Sequence, residues 1–96
     1  MTTVAIVGTT AEGTSGDITL TSSQMIHVYA SSPLNPGERV YLEITPDSGS
    51  TWVPVENEIY RGTVLRDTVG NQTVGGPGTY RLRKTATEQS VEVYYD

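Results

Sequence analysis

The sequence predicts an all-β domain, an antiparallel β-sandwich of about eight short strands, and three observations predict it. Fifteen Thr, eight Ser, ten Gly and five Pro stand against four Ala, five Leu and one Lys. Thr suits a pleated surface, whereas Gly and Pro disfavour helix interiors and make turns. Apolar and polar residues alternate in short runs, and no window of about a dozen residues keeps the 3.6-residue apolar period of a helix. Turn clusters separate the runs every eight to twelve residues or so, which leaves no room for crossover helices and favours two packed antiparallel sheets.

Taken in order, Val4 to Val7 opens the chain as a strand, and Ile18-Thr19-Leu20-Thr21 alternates after the turn cluster Gly13-Thr14-Ser15-Gly16-Asp17. Met25 to Ala30 offers two inward sets, Ile26, Val28 and Ala30 or Met25, His27 and Tyr29, and the first, whose members are branched or small, is the expected one. Pro33 to Glu38 is a loop twice punctuated by proline. Arg39 to Thr45 is the clearest strand, with Val40, Leu42 and Ile44 facing in and Tyr41 and Glu43 facing out. In Pro46-Asp47-Ser48-Gly49-Ser50 the proline fixes φ, the aspartate hydrogen-bonds the backbone and the glycine supplies a positive φ. Thr51 to Val55, carrying Trp52, closes a hairpin with the preceding strand.

Shorter strands are expected through Glu58 to Arg61, Gly62 to Asp67 and Gln72 to Val74. Gly75-Gly76-Pro77-Gly78 breaks the chain, and Thr79 to Lys84 then turns Tyr80 and Leu82 inward and Arg81 and Arg83 outward. Val91, Val93 and Tyr95 mark a terminal strand. Alternation does not choose between jelly-roll and immunoglobulin-like topology. The 96 residues make one domain, 1–96, whose core lacks Phe and has a single Trp and no Cys to cross-link it. Thin cores are supplemented by partners, so a homo-oligomer, dimer or trimer, is expected.

Charge and composition exclude several classes. A net charge of −5 with one short basic cluster, Arg81-Leu82-Arg83-Lys84, is no footprint for nucleic acid. Val4 to Val7 is the longest apolar run, far short of a membrane span. No basic segment with an apolar stretch follows Met1, so the expectation is a chain without a Sec-type signal, made in a cytoplasm and leaving it only by lysis. One histidine, His27, without Cys makes zinc improbable, and Glu12, Asp17 and Asp67 lack the fixed spacing of a calcium loop. His27 has no acidic neighbour in sequence, Glu56 and Glu58 flank a turn as solvated acids, and Gly75 to Gly78 lacks the Gly-Lys-Ser/Thr ending of a phosphate loop. Neither enzyme chemistry, nor a cofactor, nor a metal is expected.

Thr45-Pro46-Asp47-Ser48-Gly49-Ser50-Thr51-Trp52 resembles the Asp-box of sialidases and related propellers at each defined position. That resemblance implies a structural corner in which Asp47 holds the turn, Gly49 takes the tight conformation and Trp52 anchors the next strand in the core. Together with Gly76-Pro77-Gly78-Thr79-Tyr80-Arg81-Leu82-Arg83, the run from Val40 to Trp52 resembles small virion structural proteins of tailed bacteriophages, capsid decoration (cement) proteins among them. The likeness covers about residues 37 to 84. It implies a place on the outer capsid surface, the major capsid protein as partner, and stabilisation of the head. Candidate docking residues are Val4 and Ile6 near the N-terminus and Tyr94 and Tyr95 near the C-terminus, on strands able to extend a neighbouring sheet. A carbohydrate-binding module with Trp52 and the tyrosines as platform, or a tail or fibre component, are the alternatives.

Overall fold

Period-two alternation decides which face each strand buries, and ten strand segments follow from it. In the computed structural model, which describes residues 3–21, 24–55 and 62–96, these are β1 (Thr3–Thr9), β2 (Gly13–Thr14), β3 (Ile18–Leu20), β4 (Met25–Ala30), β5 (Val40–Ile44), β6 (Val53–Pro54), β7 (Thr63–Leu65), β8 (Asn71–Gly75), β9 (Gly78–Lys84) and β10 (Val91–Tyr95). Ile26 and Val28 face in while Met25 is exposed, and Val40 and Leu42 face in on β5. The expected Glu58 to Arg61 strand lies outside the described residues.

One sheet runs β1-β10-β4-β8 and the other β2-β9-β5-β6, all antiparallel. β3 also pairs β9, on the edge β2 uses, and β7 pairs β5 on the edge β6 uses. Counting each such pair as one broken strand gives eight strands among the described residues. Their order is then first, eighth, third, sixth in one sheet and second, seventh, fourth, fifth in the other. That is the jelly-roll order, a single long hairpin rolled up so that the chain changes sheet at each connection except the tip. The tip is the turn between β5 and β6.

The tip owes its shape to two side chains. Asp47 Oδ1 accepts from the Thr51 amide at 2.7 Å, and Thr45 Oγ1 accepts from the Gly49 amide at 2.7 Å. Gly49 has φ of 102°, a conformation that a Cβ would strain. Hydrogen bonds from Thr51 and Thr45 hold the Asp47 carboxyl below its ordinary 3.8. At the far end of β8 the chain crosses between sheets at Gly76 and Gly78. The Tyr80 hydroxyl donates back to the Gly76 carbonyl at 3.2 Å, and a Cβ on Gly78 would stand 2.8 Å from Ile44 Cδ1.

Among the described residues, fifteen buried apolar ones form one cluster between the sheets, with Val28, Val40, Leu65, Leu82, Val91 and Val93 wholly enclosed. Lys84, the only lysine, is also fully buried, continuing the inward register of Tyr80 and Leu82. Its Nζ donates to the carbonyls of Ala11 at 2.7 Å and Thr85 at 3.2 Å. Burial lowers the Lys84 pKa from its ordinary 10.5, against the opposing pull of Glu38.

Glu38 ties two loops together. Its Oε1 accepts from the Asn35 amide at 2.8 Å and its Oε2 from the Glu88 amide at 2.9 Å, and these bonds hold its carboxyl below the ordinary 4.5. Both Glu38 and Asp47 are depressed, so the folded state binds fewer protons than the unfolded one in acid. Their stabilisation is complete above about pH 4.5 and is lost as pH falls through the folded values. Urea midpoints should therefore fall below about pH 4.5, and Glu38→Gln should flatten that slope while lowering the midpoint at neutral pH. An unchanged acid slope in that variant contradicts the assignment.

Candidate interaction surfaces

The outer faces of the sheets and the free edge of β1 are where this fold meets its surroundings. On the β1-β10-β4-β8 sheet, the register sets Val4 opposite Tyr94, Tyr94 opposite Tyr29 and Tyr29 opposite Asn71, one row across all four strands. His27 and Tyr29 stack at 4.6 Å, and Tyr29 and Tyr94 at 5.3 Å. The Tyr29 hydroxyl donates to Asp96 Oδ1 at 3.2 Å, and burial followed by that carboxylate pushes the phenol above its ordinary 10.0, keeping it a donor. His27 Nε2 donates to Asn71 Oδ1 at 3.0 Å, because that carbonyl oxygen can only accept, and Nδ1 is hydrogen-bonded to Thr73 Oγ1 at 3.1 Å, a hydroxyl able to take either role. The histidine partners are thus an amide and a hydroxyl, on an open sheet face.

A cleft of about 370 Å³ opens beside this row, between the end of β4 and the turn that precedes β8. Tyr29, Ser31, Ser32, Asp67, Thr68 and Asn71 contribute to its lining.

β1 is an edge strand without a charged residue or a proline, and it exposes Val4 by half and Val7 by 73%. Two register shifts, between Val4 and Ile6 and between Ile6 and Thr9, bend it. Such bulges oppose indiscriminate edge pairing while leaving the side chains available. β10 lies between β1 and β4, so neither of its edges is free to extend another sheet. Of the four docking candidates, Val4 and Tyr94 lie on the outer face. Ile6 is 5% exposed and belongs to the core, and Tyr95 packs against it. Met1 and Thr2 lie outside the described residues.

The outer face of the other sheet carries a ladder. Glu43, expected to face out into solvent, does face out yet is only 7% exposed, because Arg81 Nε at 2.7 Å and Arg83 Nε at 3.4 Å close over its two oxygens. Arg81 stands 4.6 Å from the Trp52 ring and Arg83 4.5 Å from the Tyr41 ring. The order is Trp52, Arg81, Glu43, Arg83, Tyr41. Trp52 is therefore half-buried under a guanidinium on the outer face and not a core anchor, which removes it as an open platform. Simple alternation placed Glu43 and the arginines outward but gave no sign that they meet across strands.

Among the described residues no group of three or more His, Cys, Asp or Glu is placed to hold a metal ion, and no helix is long and apolar enough to cross a membrane. No protein-family model, curated protein or solved structure matches the chain. Fold and surfaces together define a double-sheet jelly roll with a stacked aromatic row on one face and an arginine ladder on the other.

Proposed function

We propose that this chain is a non-enzymatic structural protein of a tailed-phage virion, a capsid decoration protein that binds the outer surface of the head. The observation that carries the reading is the uncharged β1 edge, with Val4 and Val7 exposed and the apolar surface continuing onto Tyr94. In a chain of net charge −5, such a strand is the surface least opposed by desolvation when it meets another protein. Two further points support it. The segments that resemble phage virion proteins, Val40 to Trp52 and Gly76 to Arg83, are neighbours in the fold, since β5 and β9 pair with Leu42 opposite Leu82. The jelly roll is also an architecture used by viral capsid domains, an argument by fold analogy alone.

The mechanism is linkage. A protein that binds the assembled capsid and not its separated subunits shifts the balance toward assembly by its own binding free energy. The partner is the major capsid protein, and a dimer or trimer multiplies weak contacts into firm attachment.

Burying the exposed parts of Val4 and Val7 is worth about 1 to 2 kcal/mol each. Val7→Asp should weaken attachment at least about tenfold, with the unfolding midpoint nearly unchanged because the site is exposed. Light scattering of the purified protein and co-sedimentation with empty capsids read both quantities. A folded monomer that ignores capsids overturns the proposal, and binding confined to tails moves the protein to a tail or fibre position.

A further inference from the structure

The cleft beside Tyr29 lies at the surface between the end of β4 and the turn that precedes β8, lined mostly by polar residues. Its volume of about 370 Å³ lies at the lower end of small-molecule sites. Its walls are braced from behind. The Ala30 amide donates to the Gly70 carbonyl at 3.1 Å, the Ser31 amide to the Glu92 carbonyl at 2.9 Å, and Ser31 Oγ accepts from the Glu92 amide at 2.9 Å. Asp67 and Thr68 form the tip of a tight turn closed by two reciprocal 3.0 Å bonds between Arg66 and Val69. Little ordering remains to be done on binding, which favours recognition of a weakly held ligand.

The lining mixes short polar side chains with the apolar Ala30 and Pro33. Ser32 and Thr68 carry hydroxyls that both donate and accept. Asp67 offers a carboxylate, held 4.0 Å from Arg39 Nη1. Asn71 has its oxygen occupied by His27, which orients its amide nitrogen as a donor. Tyr29 lies at the rim with its ring stacked against His27 and Tyr94 and its hydroxyl given to Asp96, so Ala30 and Pro33 supply the apolar part of the lining.

We propose that this cleft binds a neutral saccharide. A sugar ring presents a rim of hydroxyls, each needing a donor and an acceptor, and an apolar C–H face that packs on apolar side chains. Short hydroxyl, amide and carboxylate groups meet the first need, and Ala30 and Pro33 beside Tyr29 meet the second. Charge selects against the other classes of small ligand. A carboxylate in the lining and a net charge of −5 repel phosphorylated, sulfated and sialylated molecules, and Arg39 is already committed to Asp67 and to its neighbour's carbonyl, that of Glu38. Docking through Val4, Val7 and Tyr94 reaches the Tyr29 rim and leaves the Asn71 side of the cleft open, since β8 is three strand spacings away from β1, about 14 Å. The inference stands whether or not the chain belongs to a virion.

The test is a titration of the ¹⁵N-labelled full chain with maltose, cellobiose, lactose, mannobiose and N,N′-diacetylchitobiose, followed by amide shifts, with glucose 6-phosphate as the anionic comparison. At least one disaccharide should give saturable shifts centred on Ser32, Thr68, Gly70 and Asn71. Asp67→Asn and Ser32→Ala should each weaken that binding about tenfold, while Thr19→Ala on the opposite sheet leaves it unchanged. Amide dispersion checks that each variant is folded. Absence of saturation with all five sugars, shifts centred elsewhere, affinity untouched by both cleft variants, or preference for glucose 6-phosphate each overturns the proposal.

Discussion

Lys84→Ala is expected to destabilise the domain by about 3 kcal/mol or more, whereas Lys84→Met stays within about 1 kcal/mol of the native chain. The difference separates the stem of the side chain from its charge. The stem lies wholly inside, between Val40 on β5 and Gly13 on β2, and removing it opens a cavity in a core with little spare volume. The charge works against burial, as its lowered pKa shows. Its hydrogen bonds to Ala11 and Thr85 offset that cost in the native chain, and Ala11 is exposed enough for water to replace the ammonium at its carbonyl. Methionine keeps most of the volume without the desolvated charge.

The pH dependence gives an independent check. A lysine whose folded pKa is lowered binds its proton more tightly when unfolded, so the penalty of burying the charge disappears as pH rises from the folded value toward 10.5. The native chain should therefore gain stability relative to Lys84→Met on the alkaline side. Urea midpoints of the two proteins, measured side by side, cancel the titration of the tyrosines. A parallel pair of pH profiles, or equal losses in the Ala and Met variants, contradicts this account.

Strand faces were readable because their period is local. Ile26 and Val28, Val40 and Leu42, Tyr80 and Leu82, and Val91 and Val93 all enter the core by the same two-residue rule that marks them in the sequence. By that rule Lys84 also points inward, two residues beyond Leu82. Only the general preference of lysine for water argues otherwise, and a local pattern cannot show that carbonyls from residues 11 and 85 will meet it. Pairing was far less accessible. In a rolled hairpin each strand but those at the tip finds its partners across long stretches of chain: β1 meets β10, and β4 lies between β10 and β8. The arginine ladder, the stack of His27, Tyr29 and Tyr94, and the cleft at Asn71 all join side chains from strands distant in sequence. None has a signature in a single strand. The turn at Asp47 is the opposite case, made by residues within a few positions of one another.

Leu82→Ala should cost about 3 to 5 kcal/mol, the largest loss expected from a single leucine truncation. Leu82 is wholly enclosed at the centre of β9, opposite Leu42 on β5, with ladders on both sides of its strand. A cavity there is bounded by two hydrogen-bonded neighbours and a facing sheet, so the surroundings have little freedom to collapse into it. Leu34, buried beneath the Pro33 to Glu38 loop, offers the contrast. The loop can settle after truncation, and Leu34→Ala should fall nearer the low end of the range, about 2 kcal/mol. For a domain of this size each kcal/mol lowers the melting temperature by about 4 to 8 °C, so Leu82→Ala should melt tens of degrees early or fail to fold. Calorimetry on both variants, with Leu42→Ala and the double variant completing a cycle, decides the point. Strict additivity of Leu42→Ala and Leu82→Ala would mean that the two side chains do not share a cavity, contrary to their register. The comparison bears on function as well. The stacked face and the arginine ladder are built on opposite sides of this one core, and the ladder depends directly on the register that Leu42 and Leu82 hold, which sets Glu43 opposite Arg81.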